Sequence, residues 1–137
     1  MKIFLTFNPH IENLSQNNLL NNFTTILKKY YRKTLGSRYY KHKDKQYRIG
    51  IFQEIGSTDY KQPHLHIIVD VPTNMMMKFY NFLKNSLTTI YPHLTSDFQL
   101  IGSRKNDEAN VYAYCLKEGS SIITNNDLYI RIPNFNW

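Results

Sequence analysis

Pro63-His64-Leu65-His66-Ile67-Ile68-Val69-Asp70-Val71 is the stretch whose alternation decides the fold. Successive side chains of a β-strand point to opposite faces, so Leu65, Ile67, Val69 and Val71 share an apolar face and His64 and His66 share the other. A strand that buries one face needs a partner strand beside it and a second layer over that face. The partner lies just upstream. Residues 47–55 place Ile49, Ile51 and Ile55 on an apolar face, and the polar turn 56–62 predicts a hairpin with the strand at 63–71. Glu54 then falls on the same face as the two histidines.

Farther out, residues 2–7 read as another strand, with Ile3, Leu5 and Phe7 on one face and Phe4 and Thr6 on the other. Residues 15–33 predict a helix. Ser15 supplies the oxygen of an N-cap, Leu19, Phe23, Ile26, Leu27 and Tyr30 recur at helical spacing, and Gly36 lies beyond the end. Residues 74–90 predict a second helix, capped by Thr73, striped by Met76, Phe79, Tyr80, Leu83, Leu87 and Ile90, and stopped by Pro92. Residues 97–102 read as a strand with Phe98 and Leu100 inward, residues 107–118 as a short helix ended by Gly119, and residues 128–132 as a last strand. The order β-α-β-β-α-β, then α-β, gives an α+β fold: an antiparallel sheet with helices packed on one face.

A chain of 137 residues fits one domain with a single core. Its net charge of +7 and pI near 9.5 favour a polyanionic partner, nucleic acid first. No apolar run approaches the length of a transmembrane helix, and the start Met1-Lys2-Ile3-Phe4-Leu5-Thr6 turns polar too soon for a signal peptide, so no membrane partner is expected. The single cysteine, Cys115, forms no internal disulfide, and a reducing cytoplasm of the host cell is the default compartment.

Two imidazoles and a carboxylate on adjacent strands make a three-ligand set with open positions, which suits a catalytic metal: Glu54, His64 and His66 are the candidate ligands. Such a set also fits zinc hydrolases, whereas mixed nitrogen and oxygen ligation with phosphate chemistry points to Mn²⁺ or Mg²⁺. The plainer alternative is two surface histidines on a half-exposed strand. His10, His42 and His93 read as surface residues.

On the predicted helix 107–118, Ala109, Tyr112, Ala113 and Leu116 form a core stripe, while Asn110, Tyr114 and Lys117 share another face. A lysine ammonium beside a phenol favours the phenolate and exchanges protons with a leaving oxygen. Tyr114 and Lys117 are therefore the catalytic candidates, against the alternative of a surface tyrosine beside a solvated lysine.

Nine of the 17 basic residues fall between Lys28 and Arg48, with Tyr30, Tyr31, Tyr39, Tyr40 and Tyr47 interleaved. Cations track phosphates and aromatic rings stack on unpaired bases, so Lys28, Arg32, Lys33, Arg38, Tyr39, Tyr40, Lys41, Lys43, Lys45 and Arg48 are candidate DNA contacts. The alternative is a helix end and solvated loop, with Tyr30 and Tyr47 partly in the core.

His64-Leu65-His66 resembles the His-hydrophobe-His motif of the HUH endonucleases. Tyr114-Cys115-Leu116-Lys117 is similar to the Tyr-x-x-Lys motif of the single-tyrosine rolling-circle replication initiators, the Rep proteins of small viruses and plasmids. Phe4-Leu5-Thr6-Phe7-Asn8-Pro9 looks like a loose version of their first motif, and Glu54 stands where many Reps carry a third metal ligand. The motifs run from residue 4 to residue 119 in Rep order. The resemblance implies a ferredoxin- or RRM-like Rep nuclease fold and a metal-dependent endonuclease that nicks single-stranded DNA at an origin or hairpin. It implies attack by Tyr114, a 5′-phosphotyrosine link, a free 3′-OH and reversal to rejoin ends. No helicase domain follows the motifs, so a host or viral helicase and polymerase would be partners, and a homodimer stays open.

Two other readings fit parts of the chain. A single-tyrosine HUH transposase shares the length and motif order, though Lys117-Glu118-Gly119 favours Rep. A non-catalytic RRM-like nucleic-acid-binding module would use Phe4 and Phe52 to stack bases and would leave Glu54, His64 and His66 without a role.

Overall fold

Five antiparallel strands and two helices account for the residues described in this computed structural model, which are 1–54, 62–102 and 121–124. The strands are β1 (Lys2–Asn8), β2 (Arg48–Glu54), β3 (His64–Asp70), β4 (Thr95–Leu100) and β5 (Ser121–Thr124), arranged in the order β4-β1-β3-β2-β5. The helices are α1 (Gln16–Leu35) and α2 (Met76–Ile90). The α+β class and the antiparallel sheet follow the alternation in the sequence, and β2 and β3 pair as expected, with Ile51 opposite Ile67 and Glu54 opposite His64.

The core lies between the sheet and the helices. Ile3, Leu5, Phe7, Ile49, Ile51, Leu65, Ile67 and Val69 point into it, and Leu19, Phe23, Leu27, Phe79, Leu83 and Leu87 meet them from α1 and α2. Every residue expected on the α1 stripe is buried. Ser15 caps the helix by accepting the Asn18 N–H at 3.4 Å. Gly36 ends it at φ 94°, a left-handed conformation that side chains resist, and its N–H reaches the Arg32 carbonyl at 3.0 Å.

Four expectations need correction. Thr73 does not cap α2; Thr73–Met75 form a 3₁₀ turn, and α2 starts at Met76 with no side-chain cap. Ile90 is 44% exposed, because the last turn of α2 runs past the core, and Leu100 is 56% exposed at the end of the outermost described strand on that side. Phe4 and Phe52 are buried rather than presented on an open sheet surface. The strand β5 pairs with β2 at residues 121–124, which no alternation had marked. The predicted helix 107–118 and strand 128–132 lie outside the described residues. Among the described residues, no helix is long and apolar enough to cross a membrane.

Where α1 ends, the tyrosines expected to be interleaved with cations turn inward. Tyr30 and Tyr31 are 1% exposed. The Tyr30 and Tyr47 hydroxyls share a hydrogen bond of 2.7 Å, the Tyr31 hydroxyl accepts the Tyr47 N–H at 2.9 Å, and Tyr30 meets the Phe79 ring edge-on at 5.0 Å. Burial, first of all, pushes the Tyr30 and Tyr31 hydroxyls well above the ordinary value of 10.0. In the unfolded chain these phenols ionise near pH 10 while the folded chain keeps their protons, so the unfolded state binds fewer protons above that pH. Stability should then fall with rising pH by up to about 1.4 kcal/mol per pH unit for each buried tyrosine. The urea midpoint measured at about pH 8 and about pH 11 checks this, and an unchanged midpoint would contradict it.

Candidate metal centre

The register sets out what surrounds the two histidines. On the sheet face away from the helices, Thr6 of β1 stands opposite His66 of β3, and His66 stands opposite Phe52 of β2. One step toward the strand end, His64 stands opposite Glu54. The backbone thus puts Glu54 on the histidine face and in the next strand, as alternation required. Its side chain is not among the described ones.

The imidazoles of His64 and His66 approach edge to face, with ring centres 4.8 Å apart and planes at 85°. His66 is 3% exposed and His64 is half-buried. The two rings are anchored through the same atom. His64 Nδ1 lies 3.2 Å from the Gln62 carbonyl. A carbonyl only accepts, so Nδ1 carries the proton in the neutral ring and Nε2 carries the lone pair. His66 Nδ1 lies 3.0 Å from Thr6 Oγ1, and the Phe4 ring stacks on His66 at 5.4 Å and 17°. Imidazoles that bind metals characteristically use one nitrogen for the ion and tie the other to a polar partner. Two imidazoles tied at Nδ1 in this way are the donors that a divalent cation would use. Among the described residues no group of three or more His, Cys, Asp or Glu side chains stands close enough to hold a metal. The third ligand of the expected set is Glu54, so Glu54→Ala should weaken Mn²⁺ affinity, with activity partly restored at higher Mn²⁺. Equal Mn²⁺ binding by Glu54→Ala and wild type in a calorimetric titration would remove it from the set.

Tyr114 and Lys117, the candidates for chemistry, lie outside the described residues. The other histidines stay apart from the pair. His10 is exposed, with φ 58° and its Nε2 2.6 Å from Thr95 Oγ1, while His42 joins two short 3₁₀ turns and His93 is exposed.

The basic stretch is divided by the fold. Lys28, Arg32 and Lys33 lie on the last turns of α1, where Lys33 Nζ sits 5.7 Å over the Phe82 ring. Tyr39–Lys41 and Lys43–Lys45 form two 3₁₀ turns with no buried residue. Lys41, Lys43 and Lys45 are exposed, as are Arg38 and Tyr40, whereas Tyr39 stacks on Tyr31 at 6.4 Å. These turns lead into Arg48, which is opposite Asp70 at one end of β3; His64 is at the other end. Six residue steps at roughly 3.3 Å separate the two ends, about 20 Å. At the Arg48 end, a cleft of about 550 Å³ is lined by Lys45, Gln46, Tyr47, Arg48 and Asp70 among others.

Sequence reasoning missed the contacts of Thr6 and Phe4 with His66. Alternation alone put them on the same face, but nothing in the sequence said that β1 would lie next to β3. Comparison of the chain with family models, curated proteins and solved structures finds no match.

Proposed function

We propose that this chain is a metal-dependent endonuclease of the HUH type that nicks and rejoins single-stranded DNA through a 5′-phosphotyrosine link, as rolling-circle initiators do. The observation that carries the reading is the His64–His66 pair, anchored through Nδ1 on one sheet face with Glu54 in register beside it. The strand order β4-β1-β3-β2 with β-α-β-β-α-β connectivity supports a ferredoxin-like core for it.

Glu54, His64 and His66 would hold Mn²⁺ or Mg²⁺. Such an ion, when bound, withdraws charge from a phosphoryl oxygen. Tyr114 is the nucleophile of the scheme. Its hydroxyl gives up its proton to solvent and its oxygen bonds to phosphorus, the bond to the 3′ oxygen breaks, and the 3′ oxygen leaves as a hydroxyl after taking a proton from the Lys117 ammonium, which regains one from solvent. The burial of Phe4 and Phe52 weighs against a binding module that stacks bases on the sheet. A transposase with the same chemistry is separated by substrate: it joins ends bearing terminal hairpins, whereas an initiator nicks one origin.

The deciding experiment is incubation with end-labelled single-stranded DNA and Mn²⁺, then a denaturing gel. A protein–DNA band that resists denaturation is expected, and its absence across a diverse oligonucleotide pool would count against the reading. The exposed turns make a separate prediction. Neutralising Lys41, Lys43 and Lys45 should weaken DNA binding and flatten its salt dependence. Each lost phosphate contact should remove about 0.7 from the slope of log K against log salt. An unchanged slope would mean that these lysines face solvent in the complex.

A further inference from the structure

Two neighbouring tyrosines of the basic segment have opposite surroundings. In the 3₁₀ turn Tyr39–Lys41, three residues complete one turn, so successive side chains point about 120° apart. Tyr39 turns toward the core and stacks on the buried Tyr31 ring at 6.4 Å and 20°. Tyr40 turns outward and is 53% exposed, meeting the Tyr39 ring edge-on at 6.0 Å and 80°. The backbone beneath the two rings is tied down. Gln46 Nε2 donates to the Tyr39 carbonyl at 3.0 Å, and the Lys41 and His42 N–H groups donate to the Arg38 and Tyr39 carbonyls at 2.9 and 3.0 Å. The Tyr31 hydroxyl in turn accepts the Tyr47 N–H, so a line of rings runs from the core to the surface and ends in Tyr40.

A single exposed ring is ordinary on a protein surface. The charge around this one points to a ligand class. Between residues 38 and 45, Arg38, Lys41, Lys43 and Lys45 stand against one acid, Asp44, and all four cations are exposed. In a duplex the bases are stacked on one another, and exposed cations meet phosphates alone. An unpaired strand offers phosphates to the cations and base faces to the ring.

We propose that Tyr40 is a stacking platform for an unpaired base, that Tyr39 is its brace and not a second platform, and that this ring makes the basic turns prefer single strands to duplex. The proposal rests on the reading that the chain binds single-stranded DNA, and on neither the metal nor the nucleophile. A ring already braced loses little freedom when a base settles on it. Stacking also brings no cation to a phosphate, so it releases no counterion and adds affinity without salt dependence.

The test is the binding of a labelled single-stranded oligodeoxynucleotide of mixed sequence, followed by fluorescence anisotropy over a range of salt, beside the same strand annealed to its complement. Tyr40→Ala should bind the single strand about 5–100-fold more weakly at every salt concentration, with the slope of log K against log salt unchanged. Tyr40→Phe keeps the ring and should bind like wild type. Duplex affinity should be the same in wild type and Tyr40→Ala. A flattened slope in Tyr40→Ala would mean that the ring merely holds the lysines in place, and would overturn the proposal. Undiminished single-strand affinity, or an equal loss for duplex, would overturn it too. A covalent protein–DNA band from a protein whose Tyr40→Ala variant binds normally removes the platform and leaves the nicking reading. Binding that depends on Tyr40 without any such band does the reverse. A wild type that binds neither form of the DNA at low salt removes both.

Discussion

His64→Ala and His66→Ala should each cut Mn²⁺-dependent cleavage of single-stranded DNA by about a thousandfold or more. A metal ion at a phosphoryl oxygen is worth several kcal/mol of charge stabilisation, and each 1.36 kcal/mol is a tenfold change in rate. The two variants differ in a useful way. His66 is 3% exposed and braced by Thr6 and Phe4, so its removal leaves a cavity and an unsatisfied hydroxyl, and about 1–3 kcal/mol of stability should go with it. His64 is half-buried at the strand end, with its Nδ1 3.2 Å from the Gln62 carbonyl, so its removal should disturb the fold less. Loss of cleavage in His64→Ala with an unchanged melting temperature therefore isolates the chemistry. Cleavage that persists at full rate in excess EDTA would refute the metal-centre reading outright.

The second large effect concerns which tyrosine attacks. Tyr114→Phe should abolish the covalent protein–DNA product while leaving DNA binding in place, because a phenyl ring has no oxygen to bond to phosphorus. Tyr112→Phe should keep the product. On a helix, residues two apart point about 200° from one another, given 3.6 residues per turn, so the two phenols cannot face one site. Tyr112 shares its stripe with Ala109, Ala113 and Leu116, and Tyr114 shares its own with Asn110 and Lys117. Lys117→Ala should slow both nicking and rejoining without loss of DNA or metal binding. Mass spectrometry of the trapped peptide reads the answer directly, and a nucleotide on Tyr112 would overturn the argument from helix faces.

The sheet was legible because one face of every central strand is apolar, and a period of two leaves little freedom once the core is chosen. Leu65, Ile67 and Val69 fixed the inward face of β3, and the outward placement of His64 and His66 followed without further information. The pairing of β2 with β3 could be anticipated too, because few residues separate the two alternating segments along the chain. Strand order could not. Thr6 meets His66 only because β1 lies next to β3, a pairing between residues 60 apart that local pattern does not encode. The tyrosines around α1 were ambiguous for another reason. A ring with a hydroxyl serves equally well as a base-stacking surface or as core, and only the hydrogen bonds joining Tyr30, Tyr31 and Tyr47 settle it for those three.

The exposed lysine turns and the histidine pair occupy opposite ends of β3. Under the nicking reading, affinity and turnover reside in different places on the molecule. At 3.4 Å per nucleotide along a strand, about six nucleotides bridge the gap, and fewer if the strand is stretched. An oligonucleotide shorter than that meets one end at a time. A longer one that has docked at the lysines presents its scissile phosphate to the histidines at the high local concentration of a tethered ligand. The protein would then act as a length gauge: trimming the DNA one nucleotide at a time should leave binding nearly constant until the far anchor is lost, and then drop it in a single step.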